Sequence, residues 1–507
     1  SNTINVSGGT LDTDIYGGQT YDGAADNNTI NILAGDLNPE MSLYGGYGTT
    51  ESKNNTYNMY TKGQTVADFA YFQNLNFYVP EGTTAGETML TVTGNAAVDA
   101  DTTLAAVQNS TTTDGTMDVS GATVFGGVQR NTKLNPGEYI NLLYNANGIT
   151  TDDTSYGTID GLDTVTSAGF INYKAIVEKK DANTIVITIP KDEKGTSDTD
   201  TKILPEDREN AANTIKNAGD IIAGSALHAA EGAWIENHDI EAKFVPYAIV
   251  GGYDLHYNTG SYIDSNGMAA NVGFVRRSQH EGHIDTIMPF FEYGRSNYTS
   301  HLDDGARADG DQHYTGAGVL YRRDRKDGLH YEALVRAGHL SGDFKGKIDG
   351  YDASYDSGAP YIAAMAGLGK VVTRDTNSLD YYGKFFWTHL GSDNVRIDNT
   401  LGSSRYDFDS IDSYRTRLGV RWTKDISDIG SCYAGIGWDY EFDSKARASY
   451  RSFNTPSPSA EGSSGFLELG WKSRLTKENP WGADVNVTGW AGKQRGVTYT
   501  LSVSRAF

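Results

Sequence analysis

Residues 497–507 read VTYTLSVSRAF: Val497, Tyr499, Leu501 and Val503 recur at every second position, followed by Phe507, with mostly small or polar residues between. A period of two predicts a strand with one apolar face. Eleven earlier segments alternate in the same way, at about 243–257, 267–277, 284–298, 311–323, 328–340, 359–372, 378–390, 412–423, 430–442, 464–473 and 481–490. In 413–422, Tyr414, Thr416, Leu418, Val420 and Trp422 oppose Ser413, Arg415, Arg417, Gly419 and Arg421. In 432–442, Cys432, Ala434, Ile436, Trp438, Tyr440 and Phe442 oppose Tyr433, Gly435, Gly437, Asp439 and Glu441. A soluble sandwich also alternates, but turns its apolar face inward. These segments are long enough to cross a bilayer, which takes roughly 9–11 tilted residues, and their aromatics gather near the ends, where interfacial girdles form. The pattern predicts a twelve-stranded antiparallel transmembrane barrel over 241–507.

The connectors support a sidedness. Long ones (258–266, 299–310, 341–358, 391–411, 443–463) alternate with short ones (278–283, 324–327, 373–377, 424–429, 474–480), and only the hairpin near Gly492 is short where a long one is due. Short periplasmic turns and long external loops are the habit of such barrels. Just upstream, about 209–234, Ile215, Ala218, Ile222, Leu227 and Trp234 recur at rough helical spacing among many Ala and Gly. Small residues all round make a thin helix. Ahead of an even number of strands, it must run through the lumen from outside to reach the first strand's periplasmic end, which places 1–207 outside the cell. An ordinary core helix is the plainer alternative.

Composition sharpens the division. All seven Trp and all ten His lie at or after His228, and Arg130 is the only arginine before Arg208. The first half is rich in Thr, Asn, Gly and Asp instead, which sets a boundary near 207. Within that half, TINVSG (3–8) is echoed at 29–35 and at 116–121, and IYGG (15–18) at 43–46 and 124–127. The first two copies are spaced within the solenoid range of roughly 20–50 residues, so stacked coils are expected over 1–133. Residues 134–207 differ again, as the two ends of a capping unit would. The net charge of -23 argues against nucleic acid as a partner. A single cysteine, Cys432, forbids an intrachain disulfide. Mean hydropathy is -0.48 and no apolar run is long enough for a transmembrane helix. No leader is visible at Ser1, so an export signal is expected to have been removed or left out.

Together, SYRTRLGVRW (413–422), the segment 435–440, the terminal strand and the thin helix resemble a monomeric type V secretion autotransporter. The resemblance covers about 209–507. It implies an all-β chain: an N-terminal right-handed parallel β-helix passenger (1–133), a capping or autochaperone-like region (134–207), a linker helix in the lumen (208–240) and the barrel (241–507). It also implies outer-membrane lipid, the barrel-assembly machinery and periplasmic chaperones as partners, with a host or self surface ligand for the passenger. Phe507, with Tyr499, Leu501 and Val503, resembles the assembly signal. Arg505 departs from it, and snorkelling to the interface would accommodate it.

Chemistry is sparse. The passenger has neither His nor Cys, so a Ser-His-Asp triad or Cys-His dyad is impossible within it. Asp99 and Asp101 suggest a cation or acid/base site, but no Gly-plus-Glu loop follows, and a solvated turn explains them. Met41, Met59 and Met89 read as filler. The helix has Asn210, Asn213 and Asn217 but no Asn-Asn pair, so the intraluminal cleavage of some relatives is not carried over. Glu292, Glu332, Arg336, Lys384, Arg415, Arg417, Glu468 and Asp484 are expected to face the lumen and contact the helix. No cofactor, metal or catalysis is expected. The reading is a translocator that anchors its own adhesive or self-associating passenger. The alternatives are a carbohydrate-active passenger, a passive porin and, last, a soluble β-sandwich enzyme.

Overall fold

The structure, a computed structural model, describes residues 1–94, 114–232, 244–428, 430–473 and 478–505. Asp99, Asp101, Trp234 and Phe507 lie outside the described residues. The chain forms two compact units, residues 1–197 with 400–402, and residues 198–399 with 403–507.

The first unit is a parallel β-helix. Thr3–Leu11 pairs with Thr29–Leu37, bringing Thr3, Ile4 and Asn5 onto Thr29, Ile30 and Asn31. Thr56–Met59, Asn74–Val79, Thr123–Val128 and Ser155–Thr158 add four further rungs to the same sheet. Alternation sorts the rungs. Ile30, Ile32, Tyr57, Met59, Leu75 and Phe77 are wholly buried. The intervening Asn5, Asn31, Asn58 and Asn76 form an outer ladder of amide hydrogen bonds at 2.7, 2.7 and 2.8 Å. Met41 and Met89 are buried with Met59 in this core.

Two of the sequence echoes are not rungs of one sheet. Met117–Asp118, within the copy at 116–121, pairs with Ile149–Thr150 in a separate ribbon. The copy at 124–127 pairs with 75–78, whereas Ile15–Tyr16 and Ser42–Tyr44 are continued by Asp68–Ala70. The copy at 124–127 lies within the strand Thr123–Val128, whereas Ile15–Tyr16 and Ser42–Tyr44 are short strands of another sheet, so similar letters serve different sheets. The stack ends where Tyr139–Tyr144, parallel to Thr88–Val92 on one side, turns antiparallel to Thr184–Thr188 on the other. Ile176–Asp181 then closes the sheet with an exposed edge bearing Glu178, Lys179, Lys180 and Asp181, charges that discourage further pairing.

The second unit is a closed twelve-stranded barrel. Its strands are β1 (Val245–Asn258), β2 (Tyr262–Gln279), β3 (His283–His301), β4 (Arg307–Arg325), β5 (Leu329–Ile348), β6 (Tyr351–Arg374), β7 (Asn377–Leu390), β8 (Ile411–Ser427), β9 (Gly430–Glu441), β10 (Gly462–Ser473), β11 (Trp481–Gly492) and β12 (Gln494–Arg505). All neighbours are antiparallel, and β12 closes on β1 with Val503, Leu501 and Tyr499 opposite Ala248, Val250 and Gly252. Closure leaves no strand edge for lipid to meet.

Every segment expected from alternation is a strand, but several continue well into the expected long connectors. Residues 259–261 and 349–350 are all that remain between β1 and β2 and between β5 and β6. Those extensions reverse the membrane pattern: Ile263, Phe344, Ile348, Tyr351 and Tyr355 are buried on the inner face, while Lys345, Lys347, Asp352 and Asp356 stand outside, so they lack the apolar outer face that marks a lipid-crossing strand. The connectors 391–410 and 442–461 are long, and carry Asp393–Asn399, Gly402–Phe408, Ala448–Tyr450 and Phe453–Asn454 as a small sheet.

The helix begins at Ile203, six residues before the expected 209, and follows a 3₁₀ turn at Thr199–Lys202. Pro205 falls in its first turn, where a missing N–H costs little. It runs as Ile203–Ile221, a π-helical turn Ile222–Ala226, and Leu227–Gly232.

Candidate functional site: the occupied lumen

The helix runs through the barrel's interior. Ile215 and Ile222 are wholly buried and Leu227 is nearly so. Ala211, Ala212, Ile215 and Ala218 pack with Tyr314, Tyr361 and Leu390, while Ile222, Ala226 and Leu227 pack with Tyr247, Met288, Phe290 and Phe386. Gly219 leaves room for a wall side chain. A Cβ on Gly219 would stand 3.0 Å from the Arg336 guanidinium.

Around this apolar contact runs a ring of paired charges. Asp220 on the helix receives Arg415 at 2.6 Å and Arg417 at 3.1 Å, and both arginines share Asp439 on β9. Arg336 pairs with Glu292 at 2.9 Å and donates to the carbonyl of Ile215. Lys384 joins Glu332 at 2.8 Å to the Ala223 carbonyl at 2.7 Å, inside the π turn, where the widened backbone presents that oxygen sideways. Arg421 holds Glu468, and Asp484 accepts from Tyr433. Nearer the helix N-terminus, Tyr298 and Gln312 donate to Asp207, Thr259 and Ser261 to Glu206, and Ser444 to Glu209. Lys216 meets Glu441 at 3.4 Å. A buried charge without a partner is costly, and these pairs match the helix to this wall.

All eight residues expected in the lumen therefore face it, each engaged with the helix or with a neighbouring wall residue. Sequence reasoning passed over the helix's own Glu206, Asp207, Glu209, Lys216 and Asp220, because attention to its apolar spacing hid its charges. Asp439 and Glu441 were already on the polar face of 432–442.

The outer face carries Leu418, Ile436, Leu467, Leu469, Val485 and Val487, all exposed. A greasy outside around a charged, filled inside inverts a soluble protein and suits lipid. Residues 250–487 match the family described as Autotransporter beta-domain. This region is an autotransporter β-domain. The protein is accordingly an outer-membrane protein, a translocator and anchor for an N-terminal passenger. The chain is similar in fold to the β-domain of the Bordetella autotransporter BrkA, at 16% identity over 52% of this chain and 99% of that one (TM-score 0.42). It is similar to the translocator domain of NalP from Neisseria meningitidis, at 15% over 59% and 98% (0.44). It is also similar to the transport unit of AIDA-I from Escherichia coli, at 16% over 59% and 99% (0.41). Among curated proteins no sequence matches the chain.

On the closing strand of this autotransporter barrel, Tyr499, Leu501 and Val503 point outward and are exposed. Arg505 places its guanidinium 5.0 Å from the centre of the Trp481 ring on β11, an interfacial cation–π pair that accommodates the charge.

The passenger carries one further surface of note. Tyr16, Tyr44 and Tyr71 come from successive coils. Tyr16 and Tyr44 stack at 4.8 Å, Tyr44 and Tyr71 lie 6.0 Å apart, and Tyr47 meets Tyr16 and Tyr71 edge-on at 5.9 and 5.6 Å. The glycines of IYGG and LYGG permit this. A Cβ on Gly17 would lie 2.4 Å from the Gly45 carbonyl, and one on Gly45 would lie 2.3 Å from that of Tyr71. Tyr71 itself has φ 63°, an unusual backbone for an aromatic residue. Burial pushes the Tyr71 hydroxyl up to about 12 and Tyr44 higher still, so both remain donors.

Proposed function

We propose that the barrel holds its β-helix at the cell surface, where the passenger acts by binding, as an adhesin or in self-association, rather than by catalysis. The observation that carries this is the tyrosine cluster. Four rings gather on one flank of the coil stack, and the neighbouring Tyr21 is 83% exposed. Tyrosine offers rigid apolar area with a hydrogen-bonding tip, which is why it is enriched in recognition surfaces. A lumen occupied by a helix with matched ion pairs to the wall weighs against a passive porin.

The test has two arms. Protease applied to intact cells should remove 1–197 and leave the barrel in the membrane. Cells displaying a Tyr16→Ser/Tyr44→Ser/Tyr47→Ser variant should lose settling or surface attachment while showing the same amount of passenger. Protection of the passenger from protease sinks the topology. Unchanged attachment by the variant sinks the binding role.

A further inference from the structure

The β2–β3 connector, 280–282, is closed by the His280 N–H donating to the His283 carbonyl at 2.9 Å. This turn sits at the mouth where the helix ends. It brings two imidazoles together, with ring centres 4.7 Å apart and their planes tilted by 30°. The Nε2 atoms of His280 and His283 each lie 3.4 Å from one oxygen, Asp285 Oδ2. Three ligand atoms, one from each residue, fall within 4.8 Å of one another.

We propose that His280, His283 and Asp285 form a binding site for a divalent transition-metal ion of borderline softness, Zn²⁺ being the natural probe. Two imidazoles and a carboxylate are the donor set such ions take, and three protein ligands leave a fourth position for water. Bonds of about 2.0–2.1 Å in a tetrahedron put neighbouring ligand atoms roughly 3.3–3.4 Å apart. Both nitrogen–oxygen distances already have that value. The carboxylate is oriented from behind. Its Oδ1 accepts from the Tyr321 hydroxyl and Arg323 Nε, both at 2.8 Å, and Arg323 Nη2 reaches Oδ2 at 3.1 Å. This outer shell fixes the ligand as metal sites require. The same guanidinium opposes the cation, so the site is tuned to bind reversibly. A bound ion would clip the turn between β2 and β3 at the rim. The plainer reading is a pair of surface His–Asp contacts that hold no metal.

The experiment titrates Zn²⁺ into the intact, detergent-folded protein by calorimetry, with Co²⁺ as a spectroscopic reporter. One Zn²⁺ should bind per chain, Co²⁺ should give the absorption of a tetrahedral site, and Zn²⁺ should raise the unfolding temperature. His280→Ala and His283→Ala should each weaken binding at least tenfold, while both variants keep the barrel's resistance to unfolding in detergent. No uptake overturns the proposal. So does uptake that survives in the double variant, since it would then belong to other histidines.

Discussion

Asp220 of the helix and Arg415 of β8 meet at 2.6 Å, and through that contact the passenger's tether is tied to the wall of its own translocator. Arg417 joins at 3.1 Å. Removing the helix carboxylate leaves two guanidiniums with Asp439 alone. Breaking a buried pair in this way costs roughly 3–5 kcal/mol. Asp220→Asn should therefore lower the temperature at which the purified barrel unfolds and raise its ion conductance in planar bilayers, because the plug is held less firmly. A silent bilayer with unchanged stability would show that the helix is retained by its apolar packing instead.

Tyrosines laid over glycines on the neighbouring strand are a second device of the wall. A Cβ on Gly470 would come 2.0 Å from the Tyr433 ring. That ring cannot swing aside freely, since its hydroxyl meets Asp484 and Asn486, each at 3.1 Å. Gly470→Ala should cost about 1–3 kcal/mol, the usual range for overpacking. Gly489→Ala, whose added carbon would meet nothing within 4 Å, should be close to neutral. Urea titrations of both variants in vesicles check the contrast, and equal midpoints would refute it.

The barrel was legible in the sequence because lipid and lumen impose opposite demands on alternate residues. Leu418 and Arg417 differ by one position and face different solvents. The closing pair, β12 with β1, followed from the same logic. The rest was hidden for physical reasons. The extensions at the end of β5 and the start of β6 carry their polar residues outward and bury Phe344, Ile348, Tyr351 and Tyr355 inward, the reverse of a lipid-facing strand. The π turn at Ile222–Ala226 has no signature in its letters. The coil echoes misled because similar letters sit in strands of different sheets; Val124 lies opposite Leu75, not Leu43. The tyrosine cluster was foreshadowed by IYGG and LYGG, yet Tyr71 lies outside that motif and reaches the patch through an unusual backbone.

The outward face of β12 should be intolerant of charge. Leu501 is half exposed and lies between Val250 and Val485 on the neighbouring strands. Leu501→Arg should destabilise the folded barrel by about 2–4 kcal/mol in a bilayer. Arg505→Leu, at the rim over Trp481, should change little. Refolding into vesicles separates the two; similar losses for both would mean that Arg505 is a structural requirement of the closing strand.

The mouth at the helix N-terminus should respond to pH through Asp200, in the 3₁₀ turn Thr199–Lys202. Its carboxyl is pushed up to about 7, first by burial and then by a hydrogen bond shared with Asp304, while the Asp349 N–H pulls the other way at 3.3 Å. Asp304 is correspondingly held low. The same cleft is lined by Arg307, Asp309, Lys345, Lys347 and Asp352. An acid whose folded pKa lies above its unfolded value, here 3.8, contributes stability in full below that value and loses it as pH rises toward about 7. Asp304 has the opposite sign, but its window lies below 3.8 and does not overlap. Between pH 4 and 8 the Asp200 contribution therefore falls steadily, and the wild-type barrel should unfold at a lower temperature at pH 8 than at pH 5. Asp200→Asn cannot ionise and should reduce that difference. Thermal unfolding of both proteins at the two pH values measures it, and parallel shifts would place the titrating group elsewhere.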